Sequence, residues 1–346
     1  MGAVGRVLAG ALALLCLALL LLGPLGEKRS EAVEAARMRG VEVPAPSTTP
    51  TAAKPSPSPA PAPDTITPMA AASPSPLPTP EPPPLPSPDE SVRETSITGG
   101  LSIRNETAYE PDMAALLEAG PPVTLPAEGA QILIVHTHGS EAYTPAGLDR
   151  YEPSDTHRTQ DERCSVIRVG DELAAVWEAA GLRVRHDREI YDYPSYTGSY
   201  ARSGAAVEAA LAEEPGIAVV IDLHRDALGS GDVTYKIMAE ETGVVASQLM
   251  LLVGTDEGGL EHPGWRSNLA FALYLQRAAD AAHPTLMRPV ALVPPRYNQH
   301  LSPGMLILEV GSSGNTLQEA LAAVRLFGEA TAPALLALVE EDGGSF

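Results

Sequence analysis

The sequence predicts an α/β fold: a twisted, mostly parallel sheet with helices on both faces, preceded by a membrane anchor and a disordered proline-rich linker. Three observations favour this fold class. An uncharged apolar stretch lies near the amino terminus, 18 of the 34 prolines fall between residues 44 and 88, and beyond about residue 100 apolar runs of strand length alternate with amphipathic runs of helix length. The expected division is an anchor or signal over residues 1–28, a linker over 29–100 and one folded domain over 101–346.

The apolar stretch comprises residues 7–23, VLAGALALLCLALLLLG. As a helix rising about 1.5 Å per residue it reaches most of the way across a hydrocarbon core of about 30 Å, so it is a signal peptide or a signal anchor. The residues that follow lack a clear cleavage site, which favours an uncleaved, single-pass anchor. Arg6 and the amino terminus carry the positive flank, so the rest of the protein is expected outside the cytoplasm.

The proline-rich segment, residues 44–88, contains runs such as PTPEPPPLPSP. Such a segment cannot donate regular backbone hydrogen bonds or bury apolar surface, so we expect an extended polyproline II conformation. At about 3.1 Å per residue it could span on the order of 140 Å. It therefore serves as a spacer between the membrane and the folded domain.

The charge balance argues against one class of partner. The chain has 44 acidic and 23 basic residues and a formal net charge of -21. Binding nucleic acid requires clustered lysine and arginine that neutralise phosphates. We therefore expect no nucleic acid partner.

The folded domain should consist of alternating strands and helices. The strand-like runs are QILIVHTH, LRVRHD, IAVVIDLH, TYKIMAE, QLMLLVGTD, PVALV and MLILEVGS, and the helix-like runs are SVIRVGDELAAVWEAAG, YARSGAAVEAALAEE, NLAFALYLQRAADAAH and TLQEALAAVRLFGEATAPALLALVEE. Continuous Val, Ile and Leu in the strands is typical of a sheet that is covered on both faces. A further short, helix-like piece lies between residues 100 and 125.

Three of the strand-like runs end in ionisable groups, at the edge where open α/β sheets bind ligands. ILIVHTHGSE ends in His136, His138 and Glu141; IAVVIDLHRDA ends in Asp222, His224, Arg225 and Asp226; and MLILEVGSSGN carries Glu309. If the three strands are parallel neighbours, these side chains converge. Histidines and carboxylates that meet in this way supply the three protein ligands of a catalytic zinc, with a further carboxylate to transfer protons.

Each of these residues also has a purely structural interpretation. A histidine at the end of a strand is usually a hydrogen-bonded structural residue, and Glu309 in an apolar strand can be half of a buried pair. Arg225 can hold an anionic substrate group or pair with a nearby carboxylate, whereas Asp226 is expected to orient its neighbours or cap the following turn. Structural or solvated roles are expected for the remaining histidines, which are His157, His186, His262, His283 and His300.

The chain resembles the stage II sporulation protein P family, cell-wall hydrolases of endospore-forming bacteria whose fold is related to that of zinc-dependent N-acetylmuramoyl-L-alanine amidases. The resemblance covers roughly residues 125–340. It rests on ILIVHTHGSEAYTP (132–145), VIRVGDELAAVWEAAGLRVRHDREIYDYPSYTGSYARS (166–203), VVIDLHRDA (219–227) and YNQHLSPGMLILEVGSSGNTLQEA (297–320). The resemblance implies that the folded domain is amidase-like and catalytic.

The resemblance also implies roles for individual residues. His138 and His224 match zinc ligands, Glu141 is the third expected ligand, and Glu309 matches the glutamate expected to act as general base. The roles of the two glutamates could be exchanged. The resemblance places His136 in the second shell or in the substrate cleft, and Arg225 and Asp226 are assigned to the same surroundings.

The implied reaction is hydrolysis of the amide between N-acetylmuramic acid and L-alanine in peptidoglycan, and cleavage of peptide cross-links is a second activity associated with the family. The implied partners are a glycan-trimming lytic transglycosylase, the stage II sporulation protein D, and a membrane scaffold of the same engulfment machinery. The implied location is the cell membrane, with the catalytic domain in the space between the membranes of mother cell and forespore.

Two other functions fit the same residues. One is a zinc peptidase or polysaccharide deacetylase that acts on another substrate. The other is a wall-binding scaffold on a proline-rich stalk, without catalytic activity. Only the last of these predicts that the purified protein binds no stoichiometric metal.

Overall fold

The computed structural model describes residues 92–95, 97, 100–230, 233–241 and 243–340. These residues all belong to one compact unit. The predicted anchor at residues 7–23 and the proline-rich segment 44–88 lie outside the described residues. Within the part of the chain that is described, no helix combines the length and the apolar character needed to cross a bilayer.

The predicted alternation of strands and helices is confirmed. In chain order the strands are β1 (Val92–Thr95), β2 (Ile103–Asn105), β3 (Ile132–Val135), β4 (Val184–His186), β5 (Val219–Asp226), β6 (Gly229–Ser230), β7 (Val233–Ala239), β8 (Ala246–Ser247), β9 (Leu249–Gly254), β10 (Val290–Val293) and β11 (Gly304–Ser312). The helices are α1 (Met113–Ala119), α2 (Val166–Ala179), α3 (Ser199–Glu213), α4 (Trp265–Ala282) and α5 (Leu317–Leu336). Each strand-like and helix-like run quoted above corresponds to one of these elements.

The central sheet contains seven of the described strands, in the spatial order β2-β10-β9-β11-β5-β3-β4. Five of the six neighbouring pairs among these strands are parallel. The exception is the antiparallel pair of β9 and β11, which joins two parallel halves that run in opposite directions. The sheet is therefore mostly parallel, as predicted.

Helices cover both faces of this sheet. On one face, α2, α4 and α5 pack against β-strand side chains, and the core there includes Trp177, Phe271 and Phe327. On the other face, α3 contributes Val207 and Ala210 to a smaller apolar cluster with side chains of β3, β5 and β11. Burial of apolar surface on both faces explains why the strands are continuous apolar runs.

Three of the described helices begin at side-chain caps, and at the start of α1 the carboxylate of Asp112 accepts a hydrogen bond from the backbone N–H of Ala115. The hydroxyl of Ser165 accepts a hydrogen bond from the backbone N–H of Ile167 at the start of α2. At the start of α5, Thr316 and Glu319 form a capping box, in which each side chain accepts a hydrogen bond from the backbone of the other. Such caps satisfy N–H groups that have no partner within the helix.

A second, smaller sheet was not predicted. Strand β7 lies between β1 and β6 and also pairs with β8. Strand β1 belongs to the segment 29–100 that the sequence assigned to the linker, so regular structure begins earlier than residue 101. The short sequence VRET has no apolar pattern that would identify it as a strand.

Strand order in the central sheet positions the candidate site. Strands β11, β5 and β3 are adjacent and parallel, so their carboxyl ends lie at the same edge. The register pairs Glu309 of β11 with His224 of β5. Because paired residues on adjacent strands project to the same face, both side chains lie on the face that α3 covers.

Candidate metal centre

The first group of candidate ligands follows strand β3. The chain leaves β3 after Val135 and turns at residues 137–140. His136 continues the alternation of the strand and lies on the α2 face, where a Cβ on Gly170 would come 2.7 Å from its Nε2 atom. Within the turn, His138 lies on the opposite face, near Ser199 and Tyr200 at the start of α3.

The second group lies on β5, where Asp222, His224 and Asp226 project to the α3 face. The Asp222 carboxylate lies 2.9 Å from Nε2 of His224. The same carboxylate accepts hydrogen bonds from the backbone N–H and the hydroxyl of Thr137, at 2.8 and 2.6 Å. Asp222 therefore connects the turn after β3 with His224.

Three buried side chains meet between these groups: His138, Glu141 and His224. Nδ1 of His138 lies 3.6 Å from Oε1 of Glu141, and Nδ1 of His224 lies 3.5 Å from Oε2 of Glu141. One ligand atom from each of the three residues lies within 4.8 Å of the others. We call these three residues the triad.

The triad fits a zinc ion by the chemistry of its donors. Two imidazole nitrogens and one carboxylate oxygen make a ligand set used by catalytic zinc sites, which leave the fourth position open. The three ligand atoms are close enough to share one ion, since they lie within 4.8 Å of one another. The second nitrogen of each histidine lies near another oxygen. Oγ of Ser199 is 3.1 Å from Nε2 of His138, and Oδ1 of Asp222 is 2.9 Å from Nε2 of His224. Outer partners of this kind orient metal-binding histidines.

The electrostatics of the triad favour a cation. Burial raises the pKa of Glu141, but the Arg225 charge and the two histidines outweigh burial and hold that pKa well below its usual range. Burial lowers the pKa of His224, but the carboxylates of Asp222 and Glu141 raise it well above its usual value. The carboxylates around His224 therefore attract positive charge to the triad.

Glu309 lies next to the triad but outside it. Its side chain is half-buried, and among the described residues no group forms a hydrogen bond with the buried Oε2 atom. Burial, and then the Asp226 charge, raise the pKa of Glu309 to about 8. A carboxyl group that changes protonation near neutral pH suits proton transfer.

The structure does not bring the other predicted site residues into the triad. His136 places Nδ1 2.9 Å from the carbonyl of Leu223 and Nε2 2.8 Å from Nε2 of His186, so both ring nitrogens have partners on the α2 face. Burial, and then the neighbouring His186, lower the pKa of His136 to about 3.

Arg225 and Asp226 also have protein partners. The side chain of Arg225 donates to the carbonyls of Ala142 and His157 at 3.1 and 3.0 Å, and its backbone N–H donates to Oε2 of Glu141 at 3.1 Å. Asp226 accepts a hydrogen bond of 2.9 Å from buried Arg288. Both side chains are therefore held by protein groups outside the triad.

Sequence reasoning missed the residues that loops and helix ends bring to the triad. Tyr196 stacks on His138, with ring centroids 4.5 Å apart, and Tyr200 contacts the same ring edge-on at 5.4 Å. Nη2 of Arg158 lies 3.5 Å from Oε1 of Glu141. Tyr196 and Arg158 lie in loops without periodicity, and nothing in the helix-like run that begins at Tyr200 marks this tyrosine as a neighbour of the triad.

A curated protein of known family matches this chain in sequence. Stage II sporulation protein P of Bacillus subtilis (strain 168) is 27% identical over 224 residues, which cover 60% of this chain and 53% of that protein. The match thus spans about half the length of this relative.

Several solved structures are similar at low identity. The N-acetylmuramoyl-L-alanine amidase AmiC2 of Nostoc punctiforme is 13% identical, with 61% of this chain and 98% of that chain covered and a TM-score of 0.34. The CwlD amidase from Clostridioides difficile, solved in complex with the GerS lipoprotein, is 11% identical, with coverage of 60% and 98% and a TM-score of 0.34.

The family comparison is more extensive. The family model for Stage II sporulation protein P (SpoIIP) matches residues 87–332. This region includes all three triad residues, Glu309 and nearly all of the described part of the chain. The chain belongs to the stage II sporulation protein P family.

Proposed function

We propose that this protein is a membrane-anchored, zinc-dependent peptidoglycan hydrolase of sporulation, which cleaves the amide between N-acetylmuramic acid and L-alanine. The observation that supports it best is the buried triad of His138, Glu141 and His224, with Glu309 beside it, whose Oε2 atom has no hydrogen-bond partner among the described residues. Family membership supports the cell wall as the substrate.

Different residues of the chain would bind the metal, orient its ligands and transfer the proton. His138, Glu141 and His224 hold the metal, and Asp222 and Ser199 orient the two imidazoles. A zinc ion supplies Lewis-acid activation of water and polarisation of a carbonyl when it is bound. Glu309 lies on the same face as His224, one strand away, and takes a proton from the attacking water before it returns that proton to the leaving amine.

The surroundings of the triad favour this chemistry over recognition alone. All three triad side chains are buried, so they cannot form the flat, exposed surface that a wall-binding scaffold would offer. Burial of ionisable groups is costly, and a bound cation would offset part of that cost. Glu309 and Tyr196, beside the triad, are half-buried.

The proposal extends to location and partners. The anchor at residues 7–23 and the spacer at 44–88 would hold the domain outside the cytoplasm, within reach of peptidoglycan. A lytic transglycosylase and a membrane scaffold of the sporulation machinery are the proposed partners. Family membership supports a role in sporulation.

Metal content and reaction products together test the proposal. The full-length protein, purified in detergent, should carry about one zinc per chain by elemental analysis after dialysis. It should release dye from labelled peptidoglycan, lose this activity with a chelator and regain it with zinc. Mass spectrometry of the products should show free stem peptides with L-alanine at their amino termini.

The possible outcomes separate the competing functions. Acetate with intact glycan chains would identify a deacetylase, and peptides cut between stems would identify an endopeptidase activity. Absence of zinc together with undiminished binding to cell walls would refute the hydrolase and support a scaffold.

A further inference from the structure

Arg158 lies next to the triad and contacts residues from two separate segments. Its guanidinium is buried. Nη1 donates to Oδ2 of Asp192 at 2.5 Å and to Oγ of Ser140 at 3.2 Å, while Nη2 lies 3.5 Å from Oε1 of Glu141. One planar group therefore connects the turn after β3 with the loop between β4 and α3.

The same guanidinium also supports His138, through an aromatic ring. Its central carbon lies 5.0 Å from the centroid of the Tyr196 ring, within the range of a cation–π contact. Tyr196 in turn stacks on His138 at 4.5 Å. Arg158 thus contacts one triad residue directly and a second one through Tyr196.

The charge of Arg158 is largely balanced. Asp192 is buried, and its carboxylate accepts hydrogen bonds from Arg158 and from both the backbone N–H and the hydroxyl of Ser140. Because the Asp192 carboxylate lies so close, the pair adds little net charge that would repel a cation at the triad. Arg158 therefore acts on the triad through its geometry and not through its charge. Its planar guanidinium holds the oxygen atoms of its partners and the face of the Tyr196 ring at fixed angles.

We propose that Arg158 is a positioning residue for the metal centre, which holds Glu141 and, through Tyr196, His138 in the arrangement that binds zinc. This inference rests on the proposed zinc site. It assigns Arg158 no contact with the substrate. Outer residues that orient ligands typically contribute about 10–100-fold to metal affinity.

The experiment compares zinc affinity in full-length variants by competition with a chromophoric chelator. Arg158→Lys keeps the positive charge but has neither the fork nor the planar face, so we expect its zinc Kd to rise about 10–100-fold. Arg163→Lys is the matched control: this arginine lies in the same loop with its side chain 85% exposed, and the variant should bind zinc as the parent protein does.

A second variant and a stability measurement separate positioning from folding. Tyr196→Leu removes the ring while the Arg158–Asp192 pair remains, and it should also raise the zinc Kd. For each variant, the thermal unfolding midpoint of the zinc-free protein shows whether the fold is intact, because a merely structural role would lower that midpoint without a specific change in Kd.

The results distinguish this inference from the proposed function. A parent protein that binds no zinc would refute both. A parent protein that binds zinc, with Arg158→Lys and Tyr196→Leu variants of unchanged Kd, would refute the role of Arg158 alone. If Arg158→Lys does not fold, an unchanged Kd in Tyr196→Leu is sufficient to overturn the link to His138.

Discussion

Replacement of Glu309 by glutamine should stabilise the zinc-free protein while it abolishes most of the activity. Glutamine has the same shape but cannot ionise. Burial and the Asp226 charge raise the pKa of Glu309 from 4.5 to about 8, so the folded state disfavours the carboxylate. The glutamic acid therefore loses stability, relative to glutamine, as the pH rises from about 4.5 through about 8.

The size of this effect follows from the pKa difference. Each pKa unit corresponds to about 1.4 kcal/mol, so a rise from 4.5 to about 8 sets an upper limit of roughly 5 kcal/mol above pH 8. Solvent reaches one side of the half-buried Glu309, which reduces the penalty. We expect the Glu309→Gln protein to gain about 1–3 kcal/mol over the parent protein between pH 5 and pH 8.5.

The assay is urea unfolding of both proteins, with a chelator present, at several pH values in this range. Glu178→Gln is the control, because Glu178 is exposed on α2. The difference in unfolding free energy between this variant and the parent protein should not grow with pH. With zinc bound, the nearby dication favours the carboxylate, so the gain should shrink. Hydrolysis of labelled peptidoglycan should fall by about 100-fold or more, as for loss of a general base.

A stability difference that does not grow with pH would contradict the assigned environment of Glu309. Activity in the glutamine variant close to that of the parent protein would contradict its assigned role in proton transfer. The two measurements are independent, so each part of the reasoning can fail by itself.

Three further predictions concern the triad and its support. His138→Ala and His224→Ala should each lose stoichiometric zinc in elemental analysis, because two donors remain; zinc content equal to that of the parent would remove these residues from the site. Asp222→Asn should weaken zinc binding about 10–100-fold in chelator competition, since an amide orients His224 less strongly; an unchanged Kd would contradict this. Gly170→Ala should lower stability by about 1–3 kcal/mol in thermal unfolding, because its Cβ would lie 2.7 Å from Nε2 of His136; an unchanged midpoint would show that the helix can shift.

The helices and most of the strands could be predicted because local patterns determine them. Amphipathic periodicity and caps identify α2 and α5, and continuous apolar runs identify β5 and β11. The direction of β9 could not be predicted. All six residues of this strand, LMLLVG, are buried, so their side chains indicate neither which face points to which helix nor the direction of the strand. Its antiparallel pairing with β11 depends on contacts made across the sheet.

The candidate site was only partly predictable for a related reason. His136 and His138 are two residues apart, and a continuous strand would place both on one face. The turn at residues 137–140 ends that alternation, so His138 reaches the triad while His136 packs against α2. Asp192, Arg158 and Tyr196 come from loops, where no periodicity relates position in the sequence to position in space.

The sequence by itself determined that this chain contains an α/β domain and that ionisable side chains follow three of its strands, because hydrophobic periodicity is a local property. Only the tertiary structure decided which of those side chains meet. Strand order and the turn after β3 bring His138, Glu141 and His224 together from positions as far apart as 138 and 224, and such long-range pairing depends on the packing of the whole sheet and not on any segment alone.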